Sequence, residues 1–151
     1  MLAGALGGFA GSFAMSQLHA LLQRSDASSR QSKEDSTVKA ATAISQCIFR
    51  HELTDQQKKI AAPAVHYGFG TSVGAIYGTL VEFGQVTRAG WGLPFGAVVW
   101  LGTHAIAVPA LGLSEPITKS EPGPEAAEFG AHLLYGVTVE SVRSLLRREH
   151  S

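Results

Sequence analysis

The sequence predicts an all-α, polytopic membrane protein: four transmembrane helices and an amphipathic loop helix in a single domain over residues 1–151. Three observations predict this class, namely long runs without charged residues, a low and balanced overall charge, and glycines at four-residue spacing. Only 16% of the residues are charged, and 12 Lys and Arg balance 12 Asp and Glu. This balance excludes a nucleic-acid binder of the strongly basic kind, because such a protein needs a field of one sign. We therefore expect the lipid bilayer as partner, and no nucleic acid.

Three charge-free runs are long enough to cross a bilayer. The first reaches from the N-terminus to Arg24, a second of 22 uncharged residues follows Lys59, and a third of 26 follows Arg88. A helix rises about 1.5 Å per residue, so roughly 20 residues span a hydrocarbon core of about 30 Å. The runs predict spans at about 2–23, 60–82 and 91–113. A soluble bundle of charge-poor helices is the alternative, and a cleaved signal peptide is a second alternative for the first run.

A fourth span is predicted at about 125–146, although its polarity is higher. Residues 129–139 contain no Asp, Glu, Lys or Arg, which makes the middle of this segment apolar. A charged side chain in a span costs about 2.5–3.5 kcal/mol, which is tolerable where it faces other helices. With four spans, both ends of the chain lie on one side of the bilayer.

Residues 24–59 form the one long polar segment. Its second half predicts an amphipathic helix that begins near Ser36 as N-cap, because apolar residues recur at helical spacing at Val38, Ala41, Ile44, Cys47 and Ile48. Such a helix suits the membrane surface, and packing on the bundle is an equally open interpretation.

Glycines recur four residues apart in three of the four spans. This small-xxx-small spacing lets helix backbones approach closely, which lipid-embedded helices need because the hydrophobic effect does not drive them together. The stripes predict either packing within one bundle or contacts in a homo-oligomer or larger membrane assembly. The predicted packing residues are Gly4, Gly8, Gly70, Gly74, Gly78, Gly92 and Gly96.

Polar residues inside the predicted spans form the candidate site. Four histidines lie near the ends of the spans on the long-loop side, roughly 8–12 Å below the same boundary, so they can converge in one layer. Ionisable groups are costly in a membrane, which makes a functional site the default hypothesis. The predicted polar layer comprises His19, His66, His104, Glu128, His132 and Tyr135, and a second set of polar positions, nearer the other side, comprises Glu82, Glu140 and Arg143. Of the second set, Glu140 and Arg143 are spaced to pair on one helix.

Three functions are consistent with this polar layer. The first is movement or sensing of protons or a small solute through the His and Glu groups. The second is a haem- or metal-binding redox subunit with His66, His104 and His132 as candidate ligands, and the third is a structural accessory subunit of a larger membrane complex. The chain has no HExxH, CxxC or GxSxG motif and no phosphate-binding loop. We therefore expect a non-enzymatic role and predict no cofactor.

The last 90 residues resemble the YagU-like family of small, uncharacterised bacterial inner-membrane proteins. The resemblance implies a multi-pass plasma-membrane protein with both termini cytoplasmic and the long loop outside. A simple count of Lys and Arg favours the opposite orientation, and we adopt the topology implied by the family. The family has no established reaction, so the resemblance implies a location without a mechanism. It is carried by His66, Gly74, Tyr77, Gly78, Glu82, the run 92–96, Trp100, His104, Pro109, Gly112, Leu113, Glu128, His132, Leu133, Glu140 and Arg143.

Overall fold

The computed structural model describes residues 1–22, 38–43, 45–46, 50, 52–84, 90–107 and 122–148, with the backbone alone at residues 104 and 105. Within these ranges the chain is helical apart from short turns, and no strand occurs. The predicted all-α class is confirmed. The helices are α1 (Leu2–Leu22), α2 (Asp55–Phe83), α3 (Leu93–Trp100, continued by a π-helix over Leu101–Ala107) and α4 (Pro122–Arg148).

Local capping explains where α2 and α3 begin. Thr54 and Gln57 form a capping box in which each side chain accepts a hydrogen bond from the other's backbone N–H, so α2 begins five residues before the predicted span. Gly92 precedes α3 with φ +84°, a left-handed conformation that favours glycine, and Pro94 lies in the first turn. Helix α4 also begins earlier than predicted, at Pro122, because prolines are tolerated in a first turn.

The third predicted span is not one uniform α-helix. Its α-helical part ends at Trp100, residues 101–107 are π-helical, and residues 108–113 of the predicted span lie outside the described residues. Pro109 has no N–H to donate to a carbonyl four residues earlier, a sequence feature that disfavours regular α-helical hydrogen bonding nearby.

Glycines set how the helices pack. Helix α1 lies between α2 and α4, and α3 packs against α4. A Cβ atom added to Gly4 would overlap the backbone of Gly78 at 2.8 Å, and one added to Gly7 would meet the carbonyl oxygen of Val139 at 2.7 Å. The N-terminal part of α1 therefore faces the C-terminal parts of α2 and α4, so α1 runs antiparallel to both. Gly92 lies against Gly136 in the same way, which makes α3 antiparallel to α4.

At six of the seven predicted packing glycines, an added Cβ atom would meet the backbone of another segment of the same chain, and at Gly70 it would meet the side chains of Ser12 and Tyr135. The glycine spacing predicted either packing within one bundle or contacts in an assembly, and the structure contains the packing within one bundle.

The predicted loop helix is described in part. Residues 38–43 and 45–46 are helical, and Ala41 is buried, as the predicted apolar face requires. Ser36, Ile44, Cys47 and Ile48 lie outside the described residues.

The bundle has an apolar centre and an unusually apolar exterior. The central cluster consists of Met15, Tyr77, Val81, Ala131, Tyr135 and Val139. Large apolar side chains are exposed on all four helices; among them Leu2 on α1 is 78% exposed and Ile60 on α2 is 72% exposed. Among the described residues, no helix combines the length and the apolar character needed to cross a membrane.

Candidate functional site

The structure brings His19 of α1 into contact with Glu128 of α4. The Nε2 atom of His19 lies 2.8 Å from Oε1 of Glu128, and the Nδ1 atom of the same ring lies 2.7 Å from the backbone carbonyl oxygen of Met15. The two side chains are 11% and 17% exposed. Both residues belong to the predicted polar layer, and we call them the His19–Glu128 pair.

The hydrogen-bond geometry shows how this pair can exchange a proton. A backbone carbonyl can only accept, so a proton on Nδ1 of His19 is donated to Met15. The Nε2 atom then faces the Glu128 carboxylate at 2.8 Å, and a proton at this contact can lie on the imidazole or on the carboxylate. The contact therefore joins two ionisable groups that can pass a proton between them.

His132 lies next to this pair on α4. Its Nδ1 atom is 2.8 Å from the backbone carbonyl oxygen of Glu128, one turn earlier in the same helix. Glu128 therefore contacts two histidines, His19 through its side chain and His132 through its main chain. His104 lies in the π-helical segment, and its side chain is outside the described residues.

His66 and Tyr135 lie deeper in the bundle than the His19–Glu128 pair. The Nε2 atom of His66 approaches the carbonyl oxygen of Ser12 at 3.4 Å, and the Tyr135 hydroxyl donates to the carbonyl oxygen of Gly70 at 2.6 Å. Ser12 and His19 are seven residues apart, about 10 Å along α1. The structure thus distributes the predicted layer over two levels, because the glycine contacts rather than the ends of the charge-free runs set how far each helix is shifted along its neighbour.

The second predicted set forms a buried cluster near the other end of the bundle. Arg143 donates from Nε and Nη2 to the two carboxylate oxygens of Glu140 at 2.8 and 2.7 Å, so the predicted pairing of these residues is confirmed. Ser144 also donates to Glu140 at 2.9 Å, and the hydroxyl of Tyr77 on α2 donates to it at 3.0 Å. Glu140 and Arg143 are each only 6% exposed. We call Tyr77, Glu140, Arg143 and Ser144 the Glu140 cluster.

Glu82, the third member of the second set, lies outside this cluster. Its Oε1 atom is 3.3 Å from Nη1 of Arg147, and both side chains are partly exposed. Tyr77 and Ser144 were not among the predicted site residues. Tyr77 lies three residues after Gly74 and seven after Gly70, which places it on the same helix face as these glycines and indicates an inward direction.

The three candidate metal ligands are His66, His104 and His132, and the structure describes the side chains of His66 and His132. Within the described ranges, no group of three or more His, Cys, Asp and Glu side chains is close enough together to hold a metal ion. Of the three candidate ligands, His66 and His132 each have a ring nitrogen directed at a backbone carbonyl oxygen, and the side chain of His104 lies beyond the described set.

Comparison with known proteins gives one family match. A family model with the description "Protein of unknown function (DUF1440)" matches residues 36–141, more than half of the chain. No curated protein and no solved structure matches the chain. The matched region begins after α1 and includes Glu128, but it does not include His19.

Proposed function

The chain belongs to the DUF1440 family of proteins of unknown function, and from this premise we propose that it is an integral membrane protein that moves or senses protons through the His19–Glu128 pair. The observation that carries the proposal is the 2.8 Å contact between Nε2 of His19 and Oε1 of Glu128, which joins two ionisable and largely buried side chains of α1 and α4. The resemblance to YagU-like proteins extends the proposal to the bacterial inner membrane, with both chain ends cytoplasmic.

The distribution of side chains supports a lipid environment. Glycines and buried polar groups occupy the helix contacts, while large apolar side chains face outward. A water-soluble monomer rarely exposes so much apolar surface, whereas lipid-facing helices require it. The outward-facing large residues of the three long helices include Leu2, Leu6, Phe9, Phe13, Leu21, Ile60, Phe69, Ile76, Leu80, Phe83 and Leu145.

Helix length and hydroxyl bonding support the same environment. Helices α1, α2 and α4 have 21, 29 and 27 residues, so each is about 30 Å long or longer and matches the hydrocarbon core of a bilayer. Hydroxyl groups donate to the carbonyl four residues earlier in their own helix, and even the exposed Ser72 does so, at 2.8 Å. Lipid offers no hydrogen-bonding partner, so this internal bonding suits it. The same bond is made by Ser16, Thr79, Thr103, Thr138 and Ser141.

The position of the His19–Glu128 pair supports proton handling over a purely structural role. A structural hydrogen bond needs no ionisable partner, because an amide or hydroxyl would join α1 to α4 equally well. Here both partners are ionisable and they meet between two helices, about two turns from the polar groups at Ser12 and His66. Intramembrane His and Glu groups of this kind are typical of proton pathways.

The first experiment tests membrane insertion. We expect the expressed chain to sediment with membranes, to resist extraction with alkaline carbonate, and to require detergent for release. A folded chain that stays in the supernatant without detergent would refute the membrane part of the proposal.

The second experiment tests the proton function. Purified protein is reconstituted in liposomes that contain a pH-sensitive dye, and a potassium diffusion potential drives proton entry. We expect Glu128→Gln to reduce proton flux to the level of protein-free vesicles, because Gln preserves a hydrogen bond to His19 but has no removable proton. His19→Gln should act alike. Glu52→Gln, the same chemical change at an exposed position before α2, is the matched control and should keep the flux of the unmodified chain.

Two outcomes would contradict this assignment. Folded Glu128→Gln and His19→Gln variants with unchanged flux would favour a structural accessory role. A Soret band in the visible spectrum of the detergent-purified protein would favour the haem-binding alternative.

A further inference from the structure

Three aromatic rings from three helices form a stack, and one of them, Tyr135, lies between Glu128 and Glu140 on α4. The ring of Tyr77 on α2 stacks on Phe95 of α3 with centroids 4.1 Å apart, and Phe95 lies 5.9 Å from the ring of Tyr135 on α4. Both tyrosines are almost fully buried, at 2% and 3% exposure, and Phe95 is partly buried against the central apolar cluster. The stack therefore crosses the bundle from α2 through α3 to α4.

The two tyrosine hydroxyls bond on different sides of this stack. Tyr77 donates to Glu140 in the Glu140 cluster, while Tyr135 donates to Gly70 at the level of Ser12 and His66. Phe95 is the member without a polar atom. It packs against the central apolar cluster, in which Val139 lies against the backbone of Gly7 on α1.

The His19–Glu128 pair and the Glu140 cluster lie far apart along α4. Glu128 and Glu140 are twelve residues apart on α4, about 18 Å along the helix. A proton that passes between them must cross the level of the central apolar cluster and the aromatic stack. An apolar constriction of this kind excludes the water that would carry the proton.

We infer that Phe95 is the barrier residue that limits proton passage between the His19–Glu128 pair and the Glu140 cluster. This inference rests on the proposed proton function. Phe95 extends from α3, which packs on α4, to reach the Tyr77 ring of α2. Removal of the phenyl ring leaves more than the roughly 30 Å³ that one water molecule occupies in the liquid, and the polar groups on both sides supply hydrogen-bonding partners for that water.

The liposome assay tests this inference with Phe95→Ala. We expect proton flux to rise about tenfold, which corresponds to a barrier lower by about 1.4 kcal/mol. Phe69→Ala on α2 is the matched control, because its ring is 51% exposed and lies outside the aromatic stack; its flux should equal that of the unmodified chain. Phe95→Val trims less of the side chain, should give an intermediate increase, and replaces the alanine variant if the latter does not fold in detergent.

The double variant Phe95→Ala with Glu128→Gln distinguishes the inference from the proposal on which it rests. If the double variant lacks the raised flux of Phe95→Ala, the result supports both the barrier role of Phe95 and the proton function of the His19–Glu128 pair. If Phe95→Ala and Phe95→Val leave flux unchanged while Glu128→Gln abolishes it, the barrier role is wrong and the proton function stands. If Phe95→Ala raises flux with or without Glu128, the barrier role stands and the assignment of the proton pair is wrong. Flux at the level of protein-free vesicles in every variant and in the unmodified chain refutes both.

Discussion

Replacement of Gly74 by alanine tests the close helix contact on which the bundle depends. A Cβ atom at this position would lie 2.6 Å from the carbonyl oxygen of Gly4, 2.6 Å from Cα of Gly8 and 2.8 Å from the Gly8 nitrogen. All three are backbone atoms, so no side-chain rotation can relieve the overlap. Helices α1 and α2 must separate locally by about 1 Å to restore the roughly 3.5 Å spacing of non-bonded atoms.

The expected loss of stability follows from this geometry. Inserting a methyl group into a tightly packed interior costs about 1–3 kcal/mol of unfolding free energy. The separation also weakens the contacts at Gly70 and Gly78, which lie one turn to either side, so we expect the upper part of that range. Gly68 lies on the same helix with nothing within 4 Å of its added Cβ. Alanine there should leave the stability unchanged or raise it by up to about 1 kcal/mol through helix propensity.

The assay is unfolding in detergent micelles with increasing sodium dodecyl sulfate, followed by circular dichroism, on both variants and the unmodified chain. Gly136→Ala and Gly130→Ala repeat the comparison on α4, because an added Cβ at Gly136 meets the α3 backbone and one at Gly130 meets nothing within 4 Å. If Gly74→Ala is as stable as Gly68→Ala, the reasoning about glycine contacts fails.

Two further predictions concern buried polar groups. Arg143→Met leaves the Glu140 carboxylate buried without its cation, and we expect the free energy of unfolding to fall by about 3–5 kcal/mol. Adding Glu140→Leu should restore part of this stability. A double variant that is less stable than Arg143→Met alone would contradict the pairing. Tyr135→Phe removes one interhelical hydrogen bond, and the same assay should show the free energy of unfolding lowered by about 0.6 kcal/mol, at most about 1.7 kcal/mol, with unchanged helix content. Tyr67→Phe removes a longer bond, 3.4 Å to Ser16, and should lower the stability less.

The helical class was predictable because its signals are local. Charge-free runs and glycine spacing can be read within a single segment, and the three segments that they indicated contain α1, most of α2, and α3; the apolar middle of the fourth predicted segment lies within α4. The helix starts were less predictable. Helix α2 begins at Asp55 because Thr54 and Gln57 cap it, and hydropathy does not register this polar first turn.

The candidate site was predictable in its residue types and only partly in its contacts. Polarity in an apolar segment marked His19 and Glu128, but these residues are 109 positions apart, and their contact depends on how α1 is shifted along α4. Tyr77 was not among the predicted site residues, although its spacing from Gly70 and Gly74 places it on the inward helix face. Its bond to Glu140 becomes visible only when α2 and α4 are side by side.

The sequence by itself determined the helical class, the glycines that pack inside the bundle, and the pairing of Glu140 with Arg143. These properties follow from the chemistry and spacing of neighbouring residues along one helix. Only the tertiary structure decided which polar groups of different helices meet, that His66 and Tyr135 lie deeper than the His19–Glu128 pair, and that Phe95 lies between two tyrosines. The physical reason is that contacts between helices depend on their relative shift, which here is set by backbone atoms meeting at glycines from different parts of the chain.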